Sequence, residues 1–519
     1  MSKTQKSFIS GAAVLAVGSL IAKFMGMFFK IPVTNILGEY GCGLYEYAYP
    51  IYNACLAIST TGLPIAVSKM VSEKMSSEDY FSAYRIFSVS MKAITLLGAA
   101  ISIGMFLSAN LIIDLCGWPE DTYYSIVSLS VAPFFVSMVS TYRGFFQGMQ
   151  KMTHPAVSQI CDQVGRVGFG LLLAYTLTNA YGVAIGAAGA TFGATAGSVF
   201  SFIYLSLSFM RMKKNDLPVI RKTSQGRTPE SAKVILKGII LMAIPVILGS
   251  FVNTIMDLIN GATIPNIFKS LGYTAEETTM IFGRLAPANT LTNVPLVIGS
   301  SLSASIVPFI SRAIAAKESR EKIKKQTALA LKMSFYVSLP CAIGLSVLAR
   351  PIFELIFPNI LAGADLMKYS ALVGIFTIAG GNLQAILQGS GHFYKALCTI
   401  VIAAVIKVVA NIFLVAVPEL NIYGAILATM ISTVVLFIIN LLMVNKYVGI
   451  GKCFGSISKT VLSAVLMGFF AKYSYRFISG FLGGKPGVLV AIALSAVVYA
   501  ALLFITRAIT KEDIKEILG

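Results

Sequence analysis

Long apolar runs broken by short polar turns recur from one end of this chain to the other. A run of roughly 18 residues or more crosses a bilayer as a helix with its backbone hydrogen bonds satisfied internally. The pattern predicts about fourteen spans, at 8–31, 44–70, 86–113, 123–148, 155–178, 183–210, 234–262, 283–311, 327–349, 366–388, 394–417, 422–445, 457–479 and 487–507. Period-two alternation is absent, so a β-barrel is rejected. The expected fold class is an all-α polytopic membrane protein. The first run follows Lys3 and Lys6 as a signal peptide would, but its apolar stretch is too long for one. It is therefore read as a span.

Within this pattern, two stretches 241 residues apart read as copies. Gln147-Gly148-Met149-Gln150-Lys151 closes one apolar segment and leads through a polar turn into the next. Gln388-Gly389-Ser390-Gly391-His392 does the same. At that offset Arg143 meets Gln384, Arg166 meets Lys407 and Val167 meets Val408. Ser68-Lys69 and Ser311-Arg312 each close a segment carrying a proline, Pro64 and Pro308, and Lys6 to Gly11 resembles Lys233 to Gly238. The repeat is about six spans long, so both copies enter the membrane from the same side. Two pseudo-symmetric six-helix lobes follow, 1–210 and 234–446, joined by a basic linker at 211–233. Residues 447–519 add a C-terminal helix pair and tail. A membrane chain of two like-oriented halves moves something through the cleft between them.

Composition sharpens this picture. The chain of 519 residues is 56% hydrophobic and 12% charged, against roughly a quarter charged in soluble domains. The formal net charge of +19 invites a nucleic-acid reading, but no soluble basic domain exists to host it. The cations instead gather in alternate loops. Arg211, Lys213, Lys214, Arg221, Lys222 and Arg227 lie between spans six and seven, and Arg312, Lys317, Arg320, Lys322, Lys324 and Lys325 between spans eight and nine. The opposite loops 114–121 and 178–182 carry none. This asymmetry puts both termini in the cytoplasm and makes membrane lipids, not nucleic acid, the partners of the charge. The seven cysteines are scattered with no metal-ligand spacing. His154 and His392 read as cytoplasmic loop residues at matching places in the two halves. No metal or cofactor is expected.

Polar residues inside spans are costly and face a cavity or a partner. Lys23 and Lys30 are two helical turns apart and share a face of span one; Lys23 is the deeper, and Lys30 is close enough to the outer end to snorkel. Asn253, Asp257 and Asn260 form a stripe on span seven. Its best partner is Lys407 on span eleven, followed one turn later by Asn411. Such a pair is either structural or a site where the carboxylate exchanges the lysine, Na⁺ or H⁺. Asp162 and Arg166 pair at i, i+4 along span five. Span eight brings Arg284, Asn289 and Asn293, with Pro295 and Pro308 to bend it. Span two opens with Tyr45, Glu46, Tyr47, Tyr49, Tyr52 and Asn53, an interfacial belt or a stacking surface for sugar rings. Gly182, Gly186, Gly189, Gly193 and Gly197 make span six a close-contact helix.

Several of these segments carry a resemblance. Lys30-Ile31-Pro32, Gly43-Leu44-Tyr45, Tyr49-Pro50, Gly62-Leu63-Pro64-Ile65-Ala66-Val67-Ser68-Lys69, Tyr142-Arg143-Gly144-Phe145-Phe146-Gln147-Gly148-Met149-Gln150, Pro155-Ala156-Val157-Ser158-Gln159 and Arg166-Val167 together resemble the stage V sporulation protein B and polysaccharide-exporter branch of the multidrug/oligosaccharidyl-lipid/polysaccharide (MOP) flippase superfamily, close to MurJ-type lipid II flippases. The resemblance implies fourteen helices in two lobes and alternating access for an undecaprenyl-pyrophosphate-linked sugar. It matches Lys23 and Lys30 to the basic positions of helix one. Ala54 lies near where relatives carry an arginine in helix two, and Arg284 sits about a turn before their helix-eight arginine. Asp257 fits the acid of a sodium site in some relatives, with Lys407 and Asn411 in its other two places, so that a built-in ammonium replaces the sodium.

The expected function is a bacterial cytoplasmic-membrane flippase, not an enzyme, for a lipid-linked glycan, with cell-wall synthesis proteins as further partners. Lys23, Lys30 and Arg284 supply cations for the pyrophosphate, and Asn53, Asn289 and Asn293 supply hydrogen bonds. The rivals are a MATE-like drug or cation antiporter, a non-transporting assembly protein and a membrane glycosyltransferase. The charge pattern makes the topology testable. Single cysteines at Lys222 and Lys322 should resist an impermeant thiol reagent applied from outside, while those at Glu120 and Glu276 react; the reverse pattern would invert the orientation.

Overall fold

The computed structural model describes residues 3–224, 230–316 and 318–510. Gly226, Arg227 and Pro229 of the linker and Lys317 lie outside the described residues, as does the side chain of Asn253. All regular structure among the described residues is helical. In chain order the helices are α1 (Lys3–Ala57), α2 (Leu63–Ser76), α3 (Tyr80–Leu107), α4 (Ala109–Cys116), α5 (Thr122–Ser130), α6 (Ala132–Gly148), α7 (Thr153–Tyr181), α8 (Val183–Ser224), α9 (Ala232–Ser270) and α10 (Ala275–Gly283). There follow α11 (Leu285–Ala315), α12 (Arg320–Val347), α13 (Ala349–Ile356), α14 (Gly363–Gly389), α15 (Phe393–Val415), α16 (Ile422–Tyr447), α17 (Phe454–Leu482) and α18 (Gly484–Ile505).

Eleven helical stretches among the described residues are long and apolar enough to cross a membrane. The first, Val17–Ser76, holds both of the first two expected spans, because the chain reverses within it. Gly38 takes φ 65° and ψ −169°, a conformation open to glycine and strained for other residues. Lys30 and Glu46 flank it by eight residues each, and a straight helix would hold them roughly 24 Å apart. Their side chains meet at 3.1 Å, so the two arms of α1 fold back on one another. A π-helical turn at Ile58–Gly62 then leads into α2. The fifth and seventh expected spans coincide with α7 and α9. Of the two, α7 is diluted in hydropathy by Asp162, Arg166 and its polar neighbours.

By packing the chain forms two units, residues 1–269 with 274–283, and residues 270–273 with 284–519. The expected boundary at 211–233 therefore falls inside the first unit. Two causes are visible. The basic stretch from Arg211 is the continuation of α8 as far as Ser224, held by Tyr84 Oη donating to Asp216 Oδ2 at 2.9 Å. Helix α9 also packs on the first unit: Ile235, Ile239 and Ala243 join the core of Leu63, Val67, Phe87, Phe145 and Phe209. Farther along, Trp118 Nε1 donates to the Gly261 carbonyl at 2.7 Å. Tyr47 stacks between Trp118 and Phe282, with centroids 5.0 and 4.8 Å away.

The second unit has its own core of Ile306, Ile310, Leu331, Phe335, Leu383, Ile386 and Met467. Buried Asn382 bridges its helices, donating to Ser334 Oγ at 2.6 Å and accepting from Ser303 Oγ. The C-terminal pair α17 and α18 seats on α12 through reciprocal bonds, Tyr499 Oη to the Tyr336 carbonyl and Tyr336 Oη to the Ala508 carbonyl, at 3.0 and 2.7 Å.

The repeat seen in sequence recurs as packing. A Cβ on Gly148 would lie 2.7 Å from the Ser68 carbonyl, and one on Gly389 would lie 2.7 Å from the Val307 carbonyl. Each Gln-Gly step thus ends a helix against the close of the proline-bearing helix of its own half. The two histidines also match, His154 against Phe146 at 4.5 Å and His392 against Tyr447 at 4.6 Å.

Of the five glycines expected at contacts, Gly186, Gly189, Gly193 and Gly197 of α8 each face α7 closely, whereas Gly182 precedes the helix at φ 91° and a Cβ there would meet nothing within 4 Å. A Cβ on Gly193 would meet the Arg166 carbonyl at 2.7 Å and Gly170 Cα at 2.8 Å, both backbone of α7. Gly193→Ala should therefore cost about 1–3 kcal/mol, read as a lower melting temperature of the detergent-purified protein. Gly168→Ala on α7, whose new methyl meets nothing within 4 Å, should leave that temperature unchanged.

Candidate functional site

Glycine contacts between α1 and α7 build a polar cavity in the first unit. Gly18 faces Ala156, Gly26 faces Gln163, and Gly170 of α7 faces the ring of Phe29. The helices approach closely there, and α8 closes on α7 from the other side at Gly165, Gly193 and Gly197. Beside these contacts lies a cavity of about 460 Å³ lined by Lys23, Lys30, Tyr45, Tyr49, Gln159, Asp162, Gln163 and Arg166, with Ser19, Ala22, Gly26 and Phe29. Four charged residues singled out in the sequence, Lys23, Lys30, Asp162 and Arg166, thus meet in one place with two of its tyrosines, Tyr45 and Tyr49.

Both charged pairs at the cavity are tied to the tyrosines of the second arm of α1. Lys30 Nζ lies 3.1 Å from Glu46 Oε1 and 5.6 and 5.9 Å from the ring centroids of Tyr45 and Tyr49, within reach of a cation–π attraction. Tyr45 and Tyr49 stack at 4.8 Å, and Tyr52 meets Tyr49 edge-on at 5.5 Å. Arg166 lies 3.6 Å from Asp162, one turn away on α7, and donates to Tyr49 Oη. Gln163 Nε2 donates to Asp162 Oδ2 at 3.3 Å. Arg143 stands behind this group, its Nε donating to Ser158 Oγ at 2.8 Å and its Nη2 to Ser201 Oγ at 3.2 Å. Lys23, an exposed side chain, forms no ion pair among the described residues. The cavity can therefore take an anion at Lys23 and offer amides and aromatic faces to the rest of a polar head group.

The other candidates lie elsewhere. Asn53 is half-buried on α1 and does not line the cavity. Arg284, half-buried, precedes α11, where Asn289 is half-buried and Asn293 exposed; all three belong to the second unit. Asp257 is exposed on α9 of the first unit, while Lys407 and Asn411 are buried on α15 of the second, 3% and 0% exposed. All three are engaged in contacts.

Sequence reasoning missed Glu46 as the partner of Lys30. Their spacing of sixteen matches no helical period, and only the reversal at Gly38 joins them. Glycine two turns from each of two opposite charges was the available signal.

This fold is that of a polytopic helical membrane protein. The chain belongs to the polysaccharide biosynthesis protein family, whose model matches residues 8–314. It is 26% identical over 518 residues to lipid II flippase MurJ of Bacillus subtilis (strain 168), covering 95% of this chain and 94% of that protein. It is 24% identical over 521 residues to stage V sporulation protein B of the same organism, covering 99% and 98%. Among solved structures, lipid II flippase MurJ in an inward closed conformation matches with TM-score 0.68 at 15% identity, over 95% of this chain and 99% of that one. An inward-facing MATE family multidrug resistance transporter of the MOP superfamily matches with TM-score 0.68 at 15% identity, over 84% and 98%.

The Asp162–Arg166 pair should behave as a compensated unit. Arg166→Met strands the carboxylate and should cost roughly 3–5 kcal/mol. Adding Asp162→Asn should recover part of the lost melting temperature, and a double variant no better than the single would separate the two residues energetically.

Proposed function

We propose that this protein is a flippase carrying an undecaprenyl-pyrophosphate-linked oligosaccharide, a peptidoglycan or polysaccharide precursor, across the bacterial cytoplasmic membrane by alternating access. The observation that carries the reading is the cavity on α1, where Lys23, without an ion pair among the described residues, stands beside stacked tyrosines and glutamine amides. Full-length similarity to a lipid II flippase and to a sporulation protein of one organism supports it. A diphosphate bears at least two charges, and moving them through a low-dielectric layer without fixed cations is prohibitive. The prenyl tail meets no such barrier and stays in lipid.

In this reading the chain crosses the membrane fourteen times, as two six-helix lobes and a C-terminal pair, with both termini inside. Arg284, Asn289 and Asn293 extend the substrate path on α11, and Asn53 extends it on α1. Asp257, Lys407 and Asn411 are the coupling or gating groups, being ionisable or polar residues inside apolar helices. Cell-wall synthesis proteins supply or receive the substrate.

The antiporter reading has an equal fold match in its favour. Against it stands the cavity's excess of cations over carboxylates, which repels a cationic drug.

The test is replacement of an essential lipid II flippase by this gene in a depletion strain. Growth is expected, together with its loss in Lys23→Ala at normal membrane level and partial retention in Lys23→Arg. Failure of the wild-type gene to support growth, joined to efflux of cationic dyes, would favour the antiporter. Full growth with Lys23→Ala would remove Lys23 from the site.

A further inference from the structure

Cations and carboxylates around the cavity of the first unit are unequal in number. Lys23, Lys30 and Arg166 line it, and the protein itself neutralises two of them, Lys30 with Glu46 and Arg166 with Asp162. The Lys30–Glu46 pair is the tighter, at 3.1 Å against 3.6 Å, and is half-buried, its side chains 26% and 18% exposed. Lys30 faces the cavity, whereas Glu46 is not among the residues lining it. The ammonium is steadied by the rings of Tyr45 and Tyr49. It has three protons to donate, and among the described residues its side-chain hydrogen bond goes to Glu46.

A carrier of anions faces opposite demands on such a cation. It must attract the anion from one side, release it on the other, and return empty. An uncompensated ammonium in a low-dielectric bundle is costly in the empty state and holds the anion too firmly in the loaded one.

We propose that Glu46 is an internal counter-ion for Lys30: it compensates the ammonium in the empty carrier and yields it to the diphosphate of the substrate when that enters from the cavity side. The proposal rests on the flippase reading above. Glu46 is in this sense a positioning residue, acting on the substrate through Lys30. It sets how tightly the diphosphate is held and how readily the emptied carrier resets.

The test uses the purified full chain, with farnesyl diphosphate as the binding probe, farnesol as its uncharged control, and flipping of a fluorescent polyprenyl diphosphate in proteoliposomes as the rate. Glu46→Gln keeps the shape of the side chain and removes its charge. It should bind farnesyl diphosphate on the order of 10-fold tighter than wild type, the size of one charge-assisted hydrogen bond, while KM and kcat for flipping both fall. In a Lys30→Gln background the same change should alter binding by less than about 2-fold, because the counter-ion then has no cation to serve. A merely structural Glu46 would act alike in both backgrounds. If Glu46→Gln cannot be purified folded, Glu46→Asp, whose shorter arm weakens the pair, should show a smaller tightening. Wild type binding the probe over farnesol, with folded Glu46→Gln binding equally or more weakly, would overturn the counter-ion and leave the flippase reading standing. Wild type that does not prefer the diphosphate to farnesol would overturn both.

Discussion

Charge inside an apolar bundle has to be compensated on the spot, since neither lipid nor distant solvent will do it. The first unit is organised around that constraint. Lys30 and Arg166 each have a carboxylate, and one tyrosine, Tyr49, serves both, its ring beneath the Lys30 ammonium and its hydroxyl accepting from Arg166. The supporting scaffold is glycine. Helices α1, α7 and α8 come together closely where Gly26, Gly170, Gly193 and Gly197 leave no side chain in the way, which lets Arg166 of α7 reach Tyr49 of α1, and in lipid such packing is itself the main source of helix association. Stability and site chemistry therefore share the same contacts. A methyl group on α8 that pushes α7 aside moves Asp162 and Arg166 with it.

Of the cavity cations, Lys23 alone stays without an ion pair among the described residues. A cavity with one uncommitted cation and two buffered ones can draw in an anion and still let it go. Full neutralisation would forfeit attraction, and full exposure would forfeit release. Under the proposed function that balance suits a carrier, which needs affinity to be adjustable, more than a storage site, which needs it to be high.

The internal repeat carries the architecture beyond the cavity. Gly148 and Gly389 end corresponding helices against corresponding carbonyls, and His154 and His392 rest on aromatic rings at corresponding turns. The halves have diverged in chemistry while keeping this frame. Arg166 has Asp162 and Tyr49 around it, while its counterpart Lys407 is nearly sealed in α15 with Asn411. The cavity belongs to the first unit.

Much of this was legible in the chain itself. Apolar length and the lack of alternation determined a helical membrane protein, and the Gln-Gly repeat marked two glycines, Gly148 and Gly389, that pack alike. Seven-residue spacing placed Lys23 and Lys30 on one face, four-residue spacing paired Asp162 with Arg166, and the glycine stripe marked α8 as a contact helix. These features are local, set by helical period and by the cost of polar groups in lipid. What only the tertiary structure decided is long-range. The reversal at Gly38 brings Glu46 to Lys30 across sixteen residues, and the α1–α7 crossing joins two separate pairs into one cavity. Helix α9 lies with the first unit because its apolar side finds Leu63, Val67 and Phe145 there, although the repeat assigns it to the second half. Periodicity reports which side of a helix is buried; which neighbour buries it depends on the shapes that meet there.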